Sequence, residues 1–433
     1  MTLVASNAEA AFTAGGRSVP AVVAPPPGHP RFPLCDSLRA VAAISILVAH
    51  SATVAGVVDS ASYRALFAHS NVGQPLFFLL SAFLLYRPFV SARVTAAPAP
   101  KIRDYARRRL LRIMPAYWLA LTVLAIYPGL QGVFTHDWWV YYGLLQIYPV
   151  HAGCGCGLVV TWTLAVEVAF YAALPLYVLA MNRFAAPGSG RRWIRRELLV
   201  ILTLAAVSLL VRAWSTSSDG RLYLQETLAG TFVWFSLGLA LAIASVAFAA
   251  RERPSRAVGF VAAHPMAPWA AAAVLYGLLT AWRPGIPVPA ATTRADLSGQ
   301  LGAHVVLVVI AALIFLPAIF GDRAGGLPRR LLGSRILRWL GLVSYGIFLW
   351  HAPILFELNR VHAAEWIPGS RFVSLTAATL ALSTACAAVS YYVVERPLMR
   401  LKYRSRDRES VKPAHRAPVV PQNATAAAQD RRL

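Results

Sequence analysis

The sequence predicts an all-α, polytopic membrane protein with about ten transmembrane helices and both termini in the cytoplasm. Three observations carry this. Apolar residues make up 58% of the 433 positions and charged residues only 14%, with a mean hydropathy of +0.56. Apolar runs long enough to cross a bilayer recur along most of the chain, and lysine and arginine alternate with them.

Reading runs of about 17 to 25 apolar residues as spans gives 38–58, 72–90, 110–130, 160–181, 198–215, 227–249, 267–283, 299–320, 339–358 and 371–394. The segment 137–150, DWWVYYGLLQIYPV, is apolar but short and rich in Trp and Tyr. It reads as an interfacial or re-entrant piece between the third and fourth spans. No polar block between spans is long enough to fold alone, so one membrane domain over 34–400 is expected. Flanking it are a Pro/Ala-rich arm, 1–33, and a basic tail, 401–433, neither with an apolar pattern that could make a core. The chain opens without the basic n-region, short apolar core and small-residue cleavage site of a signal peptide, so insertion is expected to rest on the first span.

The net charge of +23 raises nucleic acid as a partner, but the charge follows membrane topology instead. With the N-terminus inside, the inner segments hold 34 of the 41 Lys and Arg residues. The outer ones hold seven: Arg64, Arg212, Arg221, Arg283, Arg294, Arg360 and Arg371. The positive-inside rule therefore puts both termini in the cytoplasm of a plasma-membrane protein. Four cysteines are too few for a disulfide framework. Cys154 and Cys156, in GCGCG, read as small loop residues or as a strained local disulfide. Only His151 stands near them, so no metal site is expected.

Ionisable residues at membrane depth are costly and default to functional hypotheses. Arg39 and His50, in LRAVAAISILVAH, are eleven residues apart. At 100° per residue they return to within about 20° of one face, roughly 16 Å apart along the axis. Arg39 also reads as a snorkelling anchor and His50 as an interhelical hydrogen-bonding group. Glu167 falls five residues after Trp162 in a span running the other way, near the depth of His50, and a carboxylate there must be neutral or paired. His351, in SYGIFLWHAP, comes about twelve residues into its span at a similar depth, so His50, Glu167 and His351 are expected to converge. The alternative for His351 is plain packing beside the kink of Pro353. Arg109 and Arg112, one turn apart beside Arg107 and Arg108, satisfy the positive-inside rule but also suit bidentate phosphate binding. Ser81, Ser344 and Tyr345 read as packing or helix–helix hydrogen bonds, and Glu395 as pairing locally with Arg396.

These motifs, taken in order, resemble the acyltransferase-3 family of membrane acyltransferases, which modify hydroxyl groups on sugars, surface glycans and some antibiotics. Arg39 and His50 meet its pattern of arginine, ten residues and histidine, with Asp36 three residues before. FFLLSAFLL resembles the second-span motif, with Ala82 where glycine is usual. RRLLRIMPAYW matches the arginine pair followed by proline and aromatics. WTLAVEVAFY keeps Trp162 and Glu167 but has Val168 and Ala169 where polar residues are frequent. SYGIFLWHAPI and VERPLMR match the last two spans, and the resemblance covers about residues 34 to 400. Many members add a C-terminal extracytoplasmic hydrolase-like domain, and a stand-alone membrane form is the expectation here.

The resemblance implies an O-acyltransferase that uses acyl-CoA, with acetyl-CoA the expected donor, as co-substrate with no bound cofactor. Arg39, Arg109 and Arg112 would hold the coenzyme A phosphates. His50 would take the acceptor hydroxyl's proton, or carry the acyl group as an acyl-histidine, and Glu167 would orient it. Ser81, Trp162, Tyr345 and His351 are candidates for lining the pore or the acceptor site. The acceptor would be a hydroxyl of a sugar, glycan, glycolipid or secondary metabolite. Buried His and Glu in ten spans also fit a proton-coupled transporter or flippase of a lipid-linked saccharide, although the internally repeated halves frequent in transporters are not detected. A membrane sensor or scaffold would leave the ordered His, Glu and Arg set unexplained.

Overall fold

The computed structural model describes residues 32–400 apart from 60, 68, 96, 149–156, 185–191, 217–218, 250–254, 284–296, 321–324 and 367. The described residues contain helices and no strand. In chain order they are α1 (Leu34–Val54), α2 (Ala61–Phe67), α3 (Gly73–Thr95), α4 (Ile102–Leu124), α5 (Trp138–Tyr142), α6 (Trp162–Phe184), α7 (Arg192–Ser215), α8 (Leu228–Ala249), α9 (Arg256–Ala263), α10 (Met266–Trp282), α11 (Leu297–Ile319), α12 (Gly326–Leu332), α13 (Arg335–Arg360), α14 (Arg371–Ser390) and α15 (Arg396–Arg400). Among the described residues, nine stretches are long and apolar enough to cross a membrane, and α9 with α10, bent by 91° at their junction, makes up to ten. The chain is a multi-pass membrane protein. The expected arm, all but its last two residues, the tail, and Cys154 and Cys156 lie outside the described residues.

Where boundaries differ from the sequence reading, helices outrun their apolar cores. α4 begins at Ile102 rather than 110, because hydropathy measures only the lipid-facing length while Arg and Ala carry the helix on into a polar zone. Its regular α-helix ends at Leu124, and a π-helical turn, Ala125–Gly129, carries the span on to 129, close to the expected 130. Pro128 pushes Tyr127 into extended backbone, φ −151° and ψ 129°, as expected of a residue before proline. Of the segment 137–150, the described residues 137–148 form the short α5 and turns, with Trp138 and Trp139 exposed and Val140 and Tyr141 buried.

The core joins α1, α3, α4, α6, α8, α11 and α13. Phe78 of α3 stacks on Phe235 of α8 with centroids 4.7 Å apart, and Phe235 stacks on Phe170 of α6 at 4.2 Å. This wall of rings backs the site described below. α13 can lie against α1 because Gly341 meets the Asp36 carbonyl, where any Cβ would clash. Such small-residue approaches set helix spacing in membranes, where lipid competes for every apolar face.

Two buried arginines tie helices together. Arg93 of α3 donates to Glu197 Oε2 of α7 at 2.9 Å, and to Tyr86 OH at 3.2 Å. Arg329 of α12 is 1% exposed. Its guanidinium donates to the carbonyls of Val261 and Ala262 in α9, Pro317 and Phe320 at the end of α11, and Gly325, at 2.7 to 3.2 Å. Four of these, all but that of Gly325 at the N-cap of α12, are carbonyls at helix C-terminal ends, which lack intrahelical partners and carry the negative end of the helix dipole. Arg329→Met strands those oxygens and is expected to lower stability by on the order of 3 kcal/mol. Arg329→Lys recovers only part, because an ammonium offers three donors for five acceptors. Thermal unfolding in detergent checks this, and an unchanged midpoint for the Met variant contradicts it.

Candidate active site

Five helices enclose one pocket with about 710 Å³ of space, counting that at its open mouth. α1 contributes Arg39 and Ile46, and α4 contributes Arg109, Arg112 and Ile113. α3 supplies Gln74, Phe77, Phe78 and Ser81. From α6 come Thr163, Leu164, Glu167 and Tyr171, and from α13 Ser344, Tyr345 and Phe348.

The three arginines gather where α1, α4 and α14 approach. Arg39 Nη1 bonds Asp36 Oδ1 at 2.8 Å, one turn earlier on α1. Asp36 is largely buried and also acts electrostatically on Arg112 and Arg338, so one carboxylate serves several cations. Arg109 lies 5.9 Å from the centre of the Tyr171 ring, and its buried Nε has no hydrogen-bond partner among the described residues. Arg112 acts electrostatically on Glu395, which is 4% exposed and has an unpartnered Oε1. The expected local pairing of Glu395 with Arg396 is therefore corrected: Glu395 turns inward to the arginine cluster, and Arg396 packs over the Tyr392 ring at 5.7 Å. The start of α1 and the region just past α14 thus lie at the same end of the bundle.

Glu167 lines the same pocket and is linked to Arg109 through Tyr171. Its Oε1 accepts from the Ser81 hydroxyl of α3 and from the Tyr171 hydroxyl one turn along α6. Tyr171 was missed in the sequence, although the i,i+4 spacing from Glu167 was the available signal. Tyr345 OH donates to the Ile113 carbonyl at 3.0 Å, tying α13 to α4. Ser344 donates to the Gly341 carbonyl within its own helix.

His50 Nδ1 lies 2.9 Å from His351 Nε2. Each is one helical turn beyond a pocket residue, His50 after Ile46 and His351 after Phe348. The expected convergence of three groups is thus split: His50 pairs with His351, whereas Glu167 pairs with Ser81 and Tyr171. The expected orientation of His50 by Glu167 is corrected accordingly. Helices can share a depth and still face their side chains in different directions, since rotation about each axis is set by packing. Of the sequence candidates, Arg39, Arg109, Arg112, Ser81, Glu167 and Tyr345 line the pocket. His50, His351 and Trp162 stand outside its lining, Trp162 being next to the lining residue Thr163.

The arrangement offers guanidinium groups at one end, hydroxyls and a carboxylate on the wall, and imidazoles a turn beyond. That combination can hold an anion and act on a proton some distance away. Residues 35–388 match the acyltransferase-3 family model, described as an acyltransferase domain. The peptidoglycan O-acetyltransferase OatA of Listeria monocytogenes is 23% identical over 398 residues, which cover 85% of this chain and 56% of OatA. The O-acetyltransferase OatA of Staphylococcus aureus is 22% identical over 400 residues, covering 87% and 58%. YrhL of Bacillus subtilis is 22% identical over 395 residues, covering 87% and 56%. The chain thus spans little more than half the length of these curated relatives. No solved structure matches it. With the family model covering most of the spans, this multi-pass membrane protein belongs to the acyltransferase-3 family.

Proposed function

We propose that the protein is a plasma-membrane O-acyltransferase. In this reading it moves an acyl group, acetyl by analogy with the OatA proteins, from acyl-CoA to a hydroxyl of a sugar, glycan, glycolipid or secondary metabolite. The observation that carries the reading is the pocket joining Arg39, Arg109 and Arg112 to Glu167 and ending one turn from His50. The peptidoglycan named for the Listeria relative favours a glycan acceptor.

The membrane domain is 34–400, with arm and tail in the cytoplasm, and acyl-CoA enters at the arginine end. Asp36 neutralises part of that cluster, and the excess positive charge suits a ligand bearing several phosphates. Arg109 and Arg112 present bidentate donors to phosphate oxygens, while the pantetheine arm runs along α1. The rise from Arg39 to His50, roughly 16 Å, suits such an arm. Ser81 and Tyr171 both donate to Glu167, which leaves its carboxylate able to accept from an acceptor hydroxyl or an amide N–H. His50 accepts the proton of the attacking hydroxyl as its oxygen forms a bond to the thioester carbonyl carbon. When the C–S bond breaks, the proton passes from His50 to the departing sulfur. Apolar walls keep water from the thioester.

Membranes carrying the protein should consume radiolabelled acetyl-CoA and leave label on a hydroxylated product. Saccharide translocation without thioester consumption would support a transporter instead and overturn the reading. His50→Ala at normal membrane abundance should lower transfer by at least about 10²-fold, the usual contribution of a general base. Undiminished transfer sinks that assignment. Arg109→Ala and Arg112→Ala should each raise the KM for acetyl-CoA by roughly tenfold or more, equivalent to about 1.5 kcal/mol or more of a charged hydrogen bond. Lysine at either position should not restore it fully, and steady-state kinetics on purified protein decides both.

A further inference from the structure

The hydrogen-bond chain through His351 determines which ring nitrogen of His50 carries a proton. His351 Nδ1 lies 2.7 Å from the Phe348 carbonyl oxygen, three residues earlier on α13. A carbonyl oxygen can only accept, so Nδ1 carries the hydrogen. In a neutral imidazole the other nitrogen is then an acceptor. That nitrogen, Nε2, is the one 2.9 Å from His50 Nδ1, so His50 Nδ1 must donate. The proton of neutral His50 therefore sits on Nδ1, and its Nε2 keeps a lone pair.

Ring geometry agrees. The two imidazoles are inclined by only 3° with centroids 5.2 Å apart. Such a separation is too wide for face-to-face stacking but fits an in-plane N–H···N bond between ring edges. His351 is fully buried, and no other side-chain hydrogen-bonding group is seen on it among the described residues, so nothing competes for its Nε2. His50 is only partly buried, and its Nε2 makes no hydrogen bond among the described residues, which leaves it accessible to a reacting group.

We infer that His351 is a positioning residue that, through the Phe348 carbonyl, holds His50 as the Nδ1–H tautomer with Nε2 as the proton acceptor. The inference rests on the reading of His50 as general base. It gives His351 the part that a carboxylate plays in a Ser-His-Asp triad, where fixing the tautomer is worth far more than the hydrogen bond itself. When His50 Nε2 takes the hydroxyl proton, the ring becomes an imidazolium. Its Nδ1–H then donates to the His351 lone pair, which spreads the charge without moving a second proton. When sulfur leaves, Nε2 returns its proton and the neutral chain is restored.

The test compares two replacements of His351 in purified full-length protein with acetyl-CoA as the probe substrate. His351→Met fills the space but offers His50 no comparable acceptor, and kcat should fall by about 10²-fold or more with KM for acetyl-CoA within about twofold. His351→Gln can present an amide oxygen where Nε2 stood, and should recover kcat to within about tenfold of wild type. The double variant His50→Ala, His351→Met should be no slower than His50→Ala alone, because two members of one unit are not additive. A Met variant with near-normal kcat overturns the relay, as do Met and Gln variants equally impaired at normal abundance or a double variant slower than His50→Ala. An active His50→Ala protein overturns the general-base reading instead, so the two failures are distinguishable.

Discussion

A charge or hydrogen-bonding group buried among apolar helices without a partner costs several kcal/mol, and this constraint organises the bundle. Lipid tails are as apolar as Leu, so apolar contact alone barely distinguishes one helix neighbour from another. Polar pairs do distinguish them. Arg93 is answered by Glu197, joining α3 to α7. Arg329 gathers carbonyls from α9 and α11. Ser81 and Glu167 join α3 to α6, and His50 and His351 join α1 to α13. Each pairing fixes not only which helices touch but how each is rotated about its axis.

At the candidate site the pairing is incomplete. Among the arginines at one end of the pocket, Arg39 has Asp36, but Arg109 retains a buried, unpartnered Nε. Glu395 nearby retains an unpartnered oxygen while under the charge of Arg112. Three guanidinium groups against two carboxylates at this end of the pocket leave an excess of positive charge that suits an anionic ligand. From that end to the histidines the lining changes in order, from guanidinium to hydroxyl and carboxylate and then, a turn beyond, to imidazole. A long ligand with a charged head and a reactive tail matches that gradient, and the apolar residues between, Ile46 and Phe348 among them, line the path.

Close approaches complete the frame. Gly341 lets α13 settle on α1 at Asp36, so the ion pair of Asp36 with Arg39 and the imidazole pair about three turns further along α1 belong to the same interface. The rings of Phe78, Phe235 and Phe170 hold α3, α8 and α6 together behind Ser81 and Glu167. Rigid helices carry every group named in the proposed chemistry, which suits a reaction that depends on keeping a base, a thioester and a hydroxyl in one arrangement.

The sequence by itself determined the helical class, the spans and the alignment of Arg39 with His50. Bilayer thickness imposes a length, and a single helix has a known pitch, so both can be read locally. It also brought out the arginine pair Arg109 and Arg112, one turn apart. Helix ends beyond the apolar runs, such as the start of α4 at Ile102, escaped because polar helix carries no hydropathy signal. Only the tertiary structure decided partners. Depth along the membrane made His50, Glu167 and His351 candidates for one another, yet helix rotation gave His50 to His351, Glu167 to Ser81 and Tyr171, and Glu395 to the arginine cluster. Rotation depends on packing against every neighbour at once, and that information lies in contacts between residues hundreds of positions apart rather than in any one helix.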